Sequence, residues 1–228
     1  VDYDFLVEEE TSNWSLLQRA SLREMLGDLA GSEADRQAAF DLDPSNANAQ
    51  QLAYIMGRQG RFDEAIELME SMPVSDDARP AHVGNLAYLY ADSGNVAAGQ
   101  DILLDLVADE PGNAAALNFD CWYRGGYSSE LDTAMEVCTR AVERAEFQAG
   151  AIDSRALIHF RQGRYDEAIA DLDAALELQP ELAASYYLRG IVRLTAGDEG
   201  GRSDIETGLL MDPTLGPRYE RYGLTPPS

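Results

Sequence analysis

Few residues in this chain are equipped for chemistry. The 228 residues include two cysteines, Cys121 and Cys138, and two histidines, His82 and His159. No Cys-x-x-Cys pair occurs and the two histidines lie far apart, so the spacing does not suit the usual four-ligand zinc site, and no metal is expected. The carboxylate pairs Asp63-Glu64 and Asp166-Glu167 open helical stretches. There negative charge complements the helix dipole, so they read as structural rather than as an acid–base couple. No GxxxxGK[ST], GxSxG or HExxH pattern is present, so nothing calls for a nucleotide, a nucleophilic serine or a catalytic zinc. No catalytic residue and no cofactor is expected.

The charge balance narrows the partners. The chain carries 41 acidic and 17 basic residues for a net charge of -24, and every basic residue is arginine. A field of that sign repels phosphate backbones and anionic lipid. Nucleic acid is excluded as an expected partner; solubility, or recruitment of a basic protein, fits the charge. No apolar run reaches the roughly 20 residues that span a bilayer. The opening Val1-Asp2-Tyr3-Asp4 does not read as a signal peptide, having neither a basic start nor an apolar core.

These residues are carried on a repeating helical pattern. The stretch from Ala151 to Pro180 holds two amphipathic helices around Gln162-Gly163-Arg164, and its phrase Gly163 to Ile169 echoes Gly60 to Ile66 at an offset of 103. Three series of residues, small with few exceptions, follow the same period. Ala20, Ala53, Ala87, Cys121, Ala156 and Gly190 mark the first helix of each repeat, at spacings of 33 to 35. Ser32, Ala65, Gly99, Ala134, Ala168 and Gly201 mark the second, and Ala39, Met72, Leu106, Ala141, Ala175 and Gly208 follow one or two turns later. Small residues at a fixed period let antiparallel helices approach closely, while larger apolar neighbours fill the space between repeats. Glycine-containing turns, Gly125-Gly126-Tyr127 among them, mark helix junctions, and Pro44, Pro73, Pro111, Pro180 and Pro213 follow second helices. Gly200-Gly201 is expected to interrupt the last second helix. Residues 1–13 read as an arm, 14–213 as a six-repeat domain, and 214–228 as a cap and tail in which Tyr219 and Tyr222 cover the open end of the sixth repeat.

A period near 34 residues with the words GRFDEAI and GRYDEAI resembles the tetratricopeptide repeat (TPR) family over residues 14–213. The first and sixth repeats depart most from the pattern, and the fourth carries an insertion near Ser128-Ser129-Glu130. LNFDCWYR, SRALIHFRQGRYDEAIADLDAAL, SYYLRGIVRL and RYGLTP in the C-terminal half are also similar to a bacterial subgroup whose members are exported or attached to a transglutaminase-like domain. The resemblance implies an all-α, right-handed superhelical solenoid whose first helices line a concave groove. It also points to the bacterial periplasm or envelope rather than the cytoplasm.

On that geometry the residue after each first-helix marker faces the groove, as do those four before and four after it. The expected partner-binding positions are Leu17, Tyr54, Arg58, Tyr88, Asn118, Trp122, Asp153, Leu157, Arg161, Tyr187 and Ile191. Aromatic residues anchor interfaces well because they bury much area with few rotors. A peptide or protein partner held in the groove by a non-enzymatic scaffold is therefore the expected function. Tyr88 and Trp122 as ordinary core residues is the competing reading. The absence of Lys disfavours a carboxylate clamp for a partner's C-terminus. Two further functions stay open: an accessory region of a larger envelope enzyme, and self-association with the Tyr3 to Val7 arm in a neighbour's groove. Cys121 and Cys138 fall on the two helices of one repeat, either as a disulfide in an oxidising compartment or as two buried thiols. His159 lies in the next repeat and reads as a core or interface residue rather than a base.

Overall fold

The structure is a computed structural model that describes residues 12–127, 130–146 and 148–227. The Tyr3 to Val7 arm and the insertion at Ser128-Ser129 lie outside the described residues. Helices account for the regular structure, and no strand occurs among the described residues. In chain order the helices are α1 (Asn13–Met25), α2 (Leu29–Leu42), α3 (Asn46–Arg58), α4 (Phe62–Ser71), α5 (Arg79–Asp92), α6 (Val96–Asp109), α7 (Ala114–Tyr127), α8 (Leu131–Arg144), α9 (Ala149–Arg161), α10 (Tyr165–Leu178), α11 (Ala183–Thr195), α12 (Gly201–Met211) and the short α13 (Leu215–Glu220). Two compact units divide the chain, residues 1–99 and 100–228.

Local signals set the helix ends. Ser12 caps α1 by accepting from the Ser15 amide at 3.1 Å, and the Ser15 hydroxyl accepts in return from the Ser12 amide at 3.0 Å. Five of the helix pairs turn on a glycine with positive φ: Gly27, Gly60, Gly94, Gly163 and Gly197. After each, an amide reaches back to close a Schellman turn, as Arg164 N–H does to His159 O at 2.9 Å. The first repeat, poor in the sequence motif, thus uses the same turn as the rest: Asp28 N–H donates to Arg23 O at 2.8 Å.

Every marker of the first two series is buried. The crossing of α11 and α12 has glycine on both helices. A Cβ on Gly190 would sit 2.7 Å from Gly201 O, and one on Gly201 would sit 2.5 Å from Gly190 O. Gly200-Gly201 therefore does not interrupt the second helix. Gly201 opens α12, and its missing side chain lets the pair cross backbone to backbone. Two other expectations also change. Gly125 and Gly126 are not a turn but belong to the last turn of α7, because the space they leave is needed by other side chains: a Cβ on Gly125 would stand 2.9 Å from Leu157 and Ile158 of α9. Met72 falls just past α4 in extended backbone, φ -79° and ψ 134°, since Pro73 disfavours a helical residue before it.

Cys121 of α7 and Cys138 of α8 are joined in a disulfide with Cα atoms 4.9 Å apart. The bond occupies the marker position of the fourth repeat and is enclosed by Ala134 and Ile158.

One column of the repeat carries charge where small or apolar residues would be the simple choice. It pairs the residue before the first-helix marker with the residue three past the second-helix marker. In repeat 2 these positions hold Leu52 and Leu68. In repeats 1, 5 and 6 they are Arg19 with Asp35, Arg155 with Asp171 and Arg189 with Asp204, each a two-pronged guanidinium–carboxylate contact between 2.6 and 2.9 Å. A second arginine one turn on joins two of them, Arg23 to Asp35 and Arg193 to Asp204, both at 2.8 Å.

Two outcomes are expected in unfolding experiments. Asp35→Ala removes the buried carboxylate shared by Arg19 and Arg23 and should cost about 3 kcal/mol in urea unfolding, whereas Arg19→Leu with Asp35→Leu, the pair used by repeat 2, should stay within about 1 kcal/mol of the parent. The denatured, unreduced chain should show no titratable thiol, and reduction should lower stability by about 3 kcal/mol, the scale for closing a loop of this length.

Candidate functional site

The expected groove residues are distributed over both units, and their surroundings differ. In the N-terminal unit Tyr54 of α3 and Tyr88 of α5 line a cavity of about 160 Å³ with Gln50, Met69, Asn85 and Asp92. Each tyrosine follows a buried alanine, Ala53 or Ala87. The 100° step along the helix turns the tyrosine ring off the face that the alanine occupies. Asn85 Nδ2 donates to Gln50 Oε1 at 3.1 Å, linking the two first helices across the cavity's polar side.

Tyr54 is held firmly. Its hydroxyl donates to Glu24 Oε1 at 2.9 Å and accepts from Arg58 Nη1 at 3.1 Å. The same Glu24 takes Arg58 at 2.8 Å and Arg36 at 2.7 Å, and its side chain is only 7% exposed. Burial, followed by the Glu24 charge, raises the Tyr54 pKa, so the phenol stays a donor. Arg58, expected as a positive group facing a partner, is thus committed to a buried carboxylate. Leu17 is half-buried on α1 and takes no part in lining the cavity. Ser21, one turn on, is exposed and donates to the Leu17 carbonyl at 2.9 Å, so the column ends in solvent.

In the C-terminal unit the corresponding face is covered by residues 215–224. Leu157, Tyr187 and Ile191 are buried in one cluster with Leu215, Tyr219 and Leu224, and Trp122 packs against it. Tyr219 meets Tyr187 edge-on at 5.1 Å and Trp122 at 6.0 Å, and Tyr222 meets Trp122 at 6.2 Å and Tyr127 at 5.5 Å. Tyr219 thus packs on the first helix of the sixth repeat, α11, and with Tyr222 it also reaches across to Trp122 and Tyr127 of α7. The reason is chemical: the column they meet is aromatic and aliphatic, and covering it removes apolar surface from water. Gly126 leaves the room for Tyr222, whose ring would stand 3.2 Å from a Cβ there. Arg161 of α9 donates to Gly125 O at 3.0 Å, to Gly126 O at 3.2 Å and also to Tyr222 O. It ties the last turn of α7 to the main chain of the C-terminal segment. Asn118 Oδ1 is buried with no hydrogen-bond partner among the described residues.

Asp153 sits beneath this segment, 6% exposed, and accepts from the Ser185 hydroxyl. Burial raises its carboxyl to about 6, against the Ser185 hydrogen bond and the Arg218 charge, which pull it down. The Tyr219 hydroxyl is raised well above the ordinary phenol range, first by burial and then by the Asp153 charge, and it donates to Ala184 O at 3.4 Å.

The histidines are structural. His82 is buried and pairs Nδ1 with Asn46 Oδ1 at 2.9 Å; His159 Nε2 stands 3.7 Å from Asp171 in the Arg155 cluster. Burial lowers both, so both are neutral at pH 7. With both cysteines in a disulfide, no thiol nucleophile is present. Among the described residues no cluster of His, Cys, Asp and Glu could hold a metal ion, and no helix is long and apolar enough to cross a membrane. The C-terminal seat is not legible in the repeat columns; the sequence signals it through Tyr219 and Tyr222, which follow the last repeat.

The carboxyl of Asp153 makes stability depend on pH. Its pKa is about 6 folded and about 4 unfolded, so between these values the folded chain keeps a proton that the unfolded chain has released. Its contribution therefore favours the fold as pH falls from about 6 to about 4 and opposes it most above about pH 6. Urea midpoints across that range should show a slope, up to about 1.4 kcal/mol per pH unit, that Asp153→Asn removes.

Residues 156–197 match the TPR repeat family. The chain is 34% identical over 61 residues to the protein SGT1 homolog of Oryza sativa subsp. japonica and 33% identical over 86 residues to RNA polymerase II-associated protein 3 of Xenopus tropicalis. These matches cover 27% and 37% of this chain but only 17% and 13% of those curated relatives. Among solved structures, a tetratricopeptide repeat protein from Parabacteroides merdae superposes with a TM-score of 0.55 at 20% identity, over 93% of this chain and 90% of that one. A thermophilic TPR protein from Thermus thermophilus does so with a TM-score of 0.58 at 17% identity, over 87% and 100%.

Proposed function

We propose that this chain, which shares the fold of tetratricopeptide-repeat proteins and matches that repeat over residues 156–197, is a non-catalytic interaction scaffold whose peptide site is the Tyr54–Tyr88 cavity of the N-terminal unit. The fold is one that serves protein–protein interaction. The observation that carries the finer reading is the cavity itself: two aromatic rings on adjacent first helices, flanked by the Gln50–Asn85 amides and by Asp92.

The parts suit an extended peptide. The rings offer flat apolar area for an anchor side chain, and the amides offer donors and acceptors to its main chain. Asp92 and the net charge of -24 draw a basic peptide toward the site. Tyr54 is preorganised by Glu24 and Arg58, so binding has little left to order there.

Selection of displayed peptides on the immobilised chain tests this reading. Binders should carry an apolar anchor beside Arg or Lys, and Tyr54→Ala with Tyr88→Ala should weaken them about tenfold or more, the effect of losing central aromatic anchors. The helical melting transition should remain, because neither tyrosine is fully buried. Peptides that bind the double variant as well as the parent would refute the assignment.

A further inference from the structure

We propose that the ends of the second helices in repeats 5 and 6 form a docking surface, separate from the first-helix face, for a basic amphipathic helix of a protein partner. Leu178, Leu210 and Met211 take the aliphatic side of that helix, and Glu177, Glu181 and Glu206 take the Arg or Lys beside it.

The repeat shows that these apolar groups are out of place. Leu178 and Met211 hold the position three past the third marker of their repeats. In repeats 2, 3 and 4 that position is Ser75, Asp109 or Arg144, each exposed. In repeat 1 it is Leu42, set singly between Asp41 and Asp43. In repeats 5 and 6 it is apolar twice in succession, and Leu210 adds a third group: Leu178, Leu210 and Met211 are 59%, 85% and 48% exposed. The end of the array does not explain this, because Leu178 is bare although repeat 6 follows it, and residues 215–224 are occupied on the first-helix face. The three side chains belong to one place. α10 ends at Leu178 and α12 at Met211. Both ends lie against the start of α11: Leu182 N–H donates to Gln179 O at 3.2 Å, and a Cβ on Gly208 would stand 3.0 Å from Ala183 O. Exposed apolar side chains gathered within a polar rim mark interaction surfaces, whereas scattered ones do not.

The rim decides the partner. Glu177, Glu181 and Glu206 are exposed, and Arg218 of α13 is turned to Asp212 at 3.4 Å. Such a rim attracts Arg and Lys, while the net charge of -24 repels a second copy and an anionic lipid surface. An aliphatic row with cations beside it is what a basic helix with apolar residues at i, i+3, i+4 and i+7 presents.

The test uses the full chain and a fluorescent Leu-Lys peptide patterned as an amphipathic helix, with a scrambled peptide of the same composition as control. The patterned peptide should bind the parent, less tightly as salt is raised. Leu178→Gln with Leu210→Gln should weaken it about tenfold or more, the effect of losing central anchors, and should leave the helical melting transition unchanged, since both side chains are exposed. Glu177→Gln with Glu181→Gln should flatten the salt dependence. Tyr54→Ala with Tyr88→Ala should bind the peptide as the parent does; loss of binding there instead would overturn this proposal and leave the cavity reading standing. Equal binding to the parent and the leucine variant, or equal binding of the scrambled peptide, would reduce the surface to unspecific charge and overturn it. So would a doubled mass of the parent by light scattering that the leucine variant abolishes, which would place a second copy on the patch.

Discussion

At the crossing of α11 and α12 there is no room for a side chain on Gly190 or Gly201. Elsewhere alanine, serine, cysteine or, at Gly99, glycine again fills the same buried place. With that contact set, helix geometry decides what every neighbour faces. The residue before the marker leans toward the paired helix, and the residue after it faces away from the pair.

The position before the marker shows the crossing secured in two ways. Leucine does it by apolar burial in repeat 2, and arginine with aspartate by two-pronged ion pairs in repeats 1, 5 and 6. A chain without lysine suits this use, since guanidinium matches a carboxylate in a fixed plane while an ammonium does not. Repeat 4 departs from both. Asp120 there takes Arg124 of its own helix at 2.8 Å, and the disulfide joins the two helices instead.

The position after the marker is where the two units differ. In one it lines a cavity; in the other it is covered by the chain's own aromatic segment. The cover encloses a buried carboxyl at Asp153, which accepts from a serine hydroxyl rather than from a cation in contact. Such a group is destabilising when charged and tolerated when neutral, which is why it titrates so high.

Helix pairs, their period, the markers that cross and the positions that face away are all legible without coordinates, because each is a local rule repeated about every 34 residues. Gly163 to Ile169 reads as turn and helix start from that repetition alone. The same repetition is silent on the binding of Arg58 to Glu24, because a period sets which positions of neighbouring repeats adjoin but not which side chains there pair, and on the grip of Arg161 on Tyr222, which lies 61 residues away and outside the repeats. It misplaces Gly125-Gly126 as a turn because nothing nearby in the chain reveals that Leu157 and Tyr222 need the space. Residues 215–224 belong to no repeat, so no column could position them. Their seat exists only once three helices far apart in the chain have gathered their apolar surface in one place, and burial of that surface then draws the segment in.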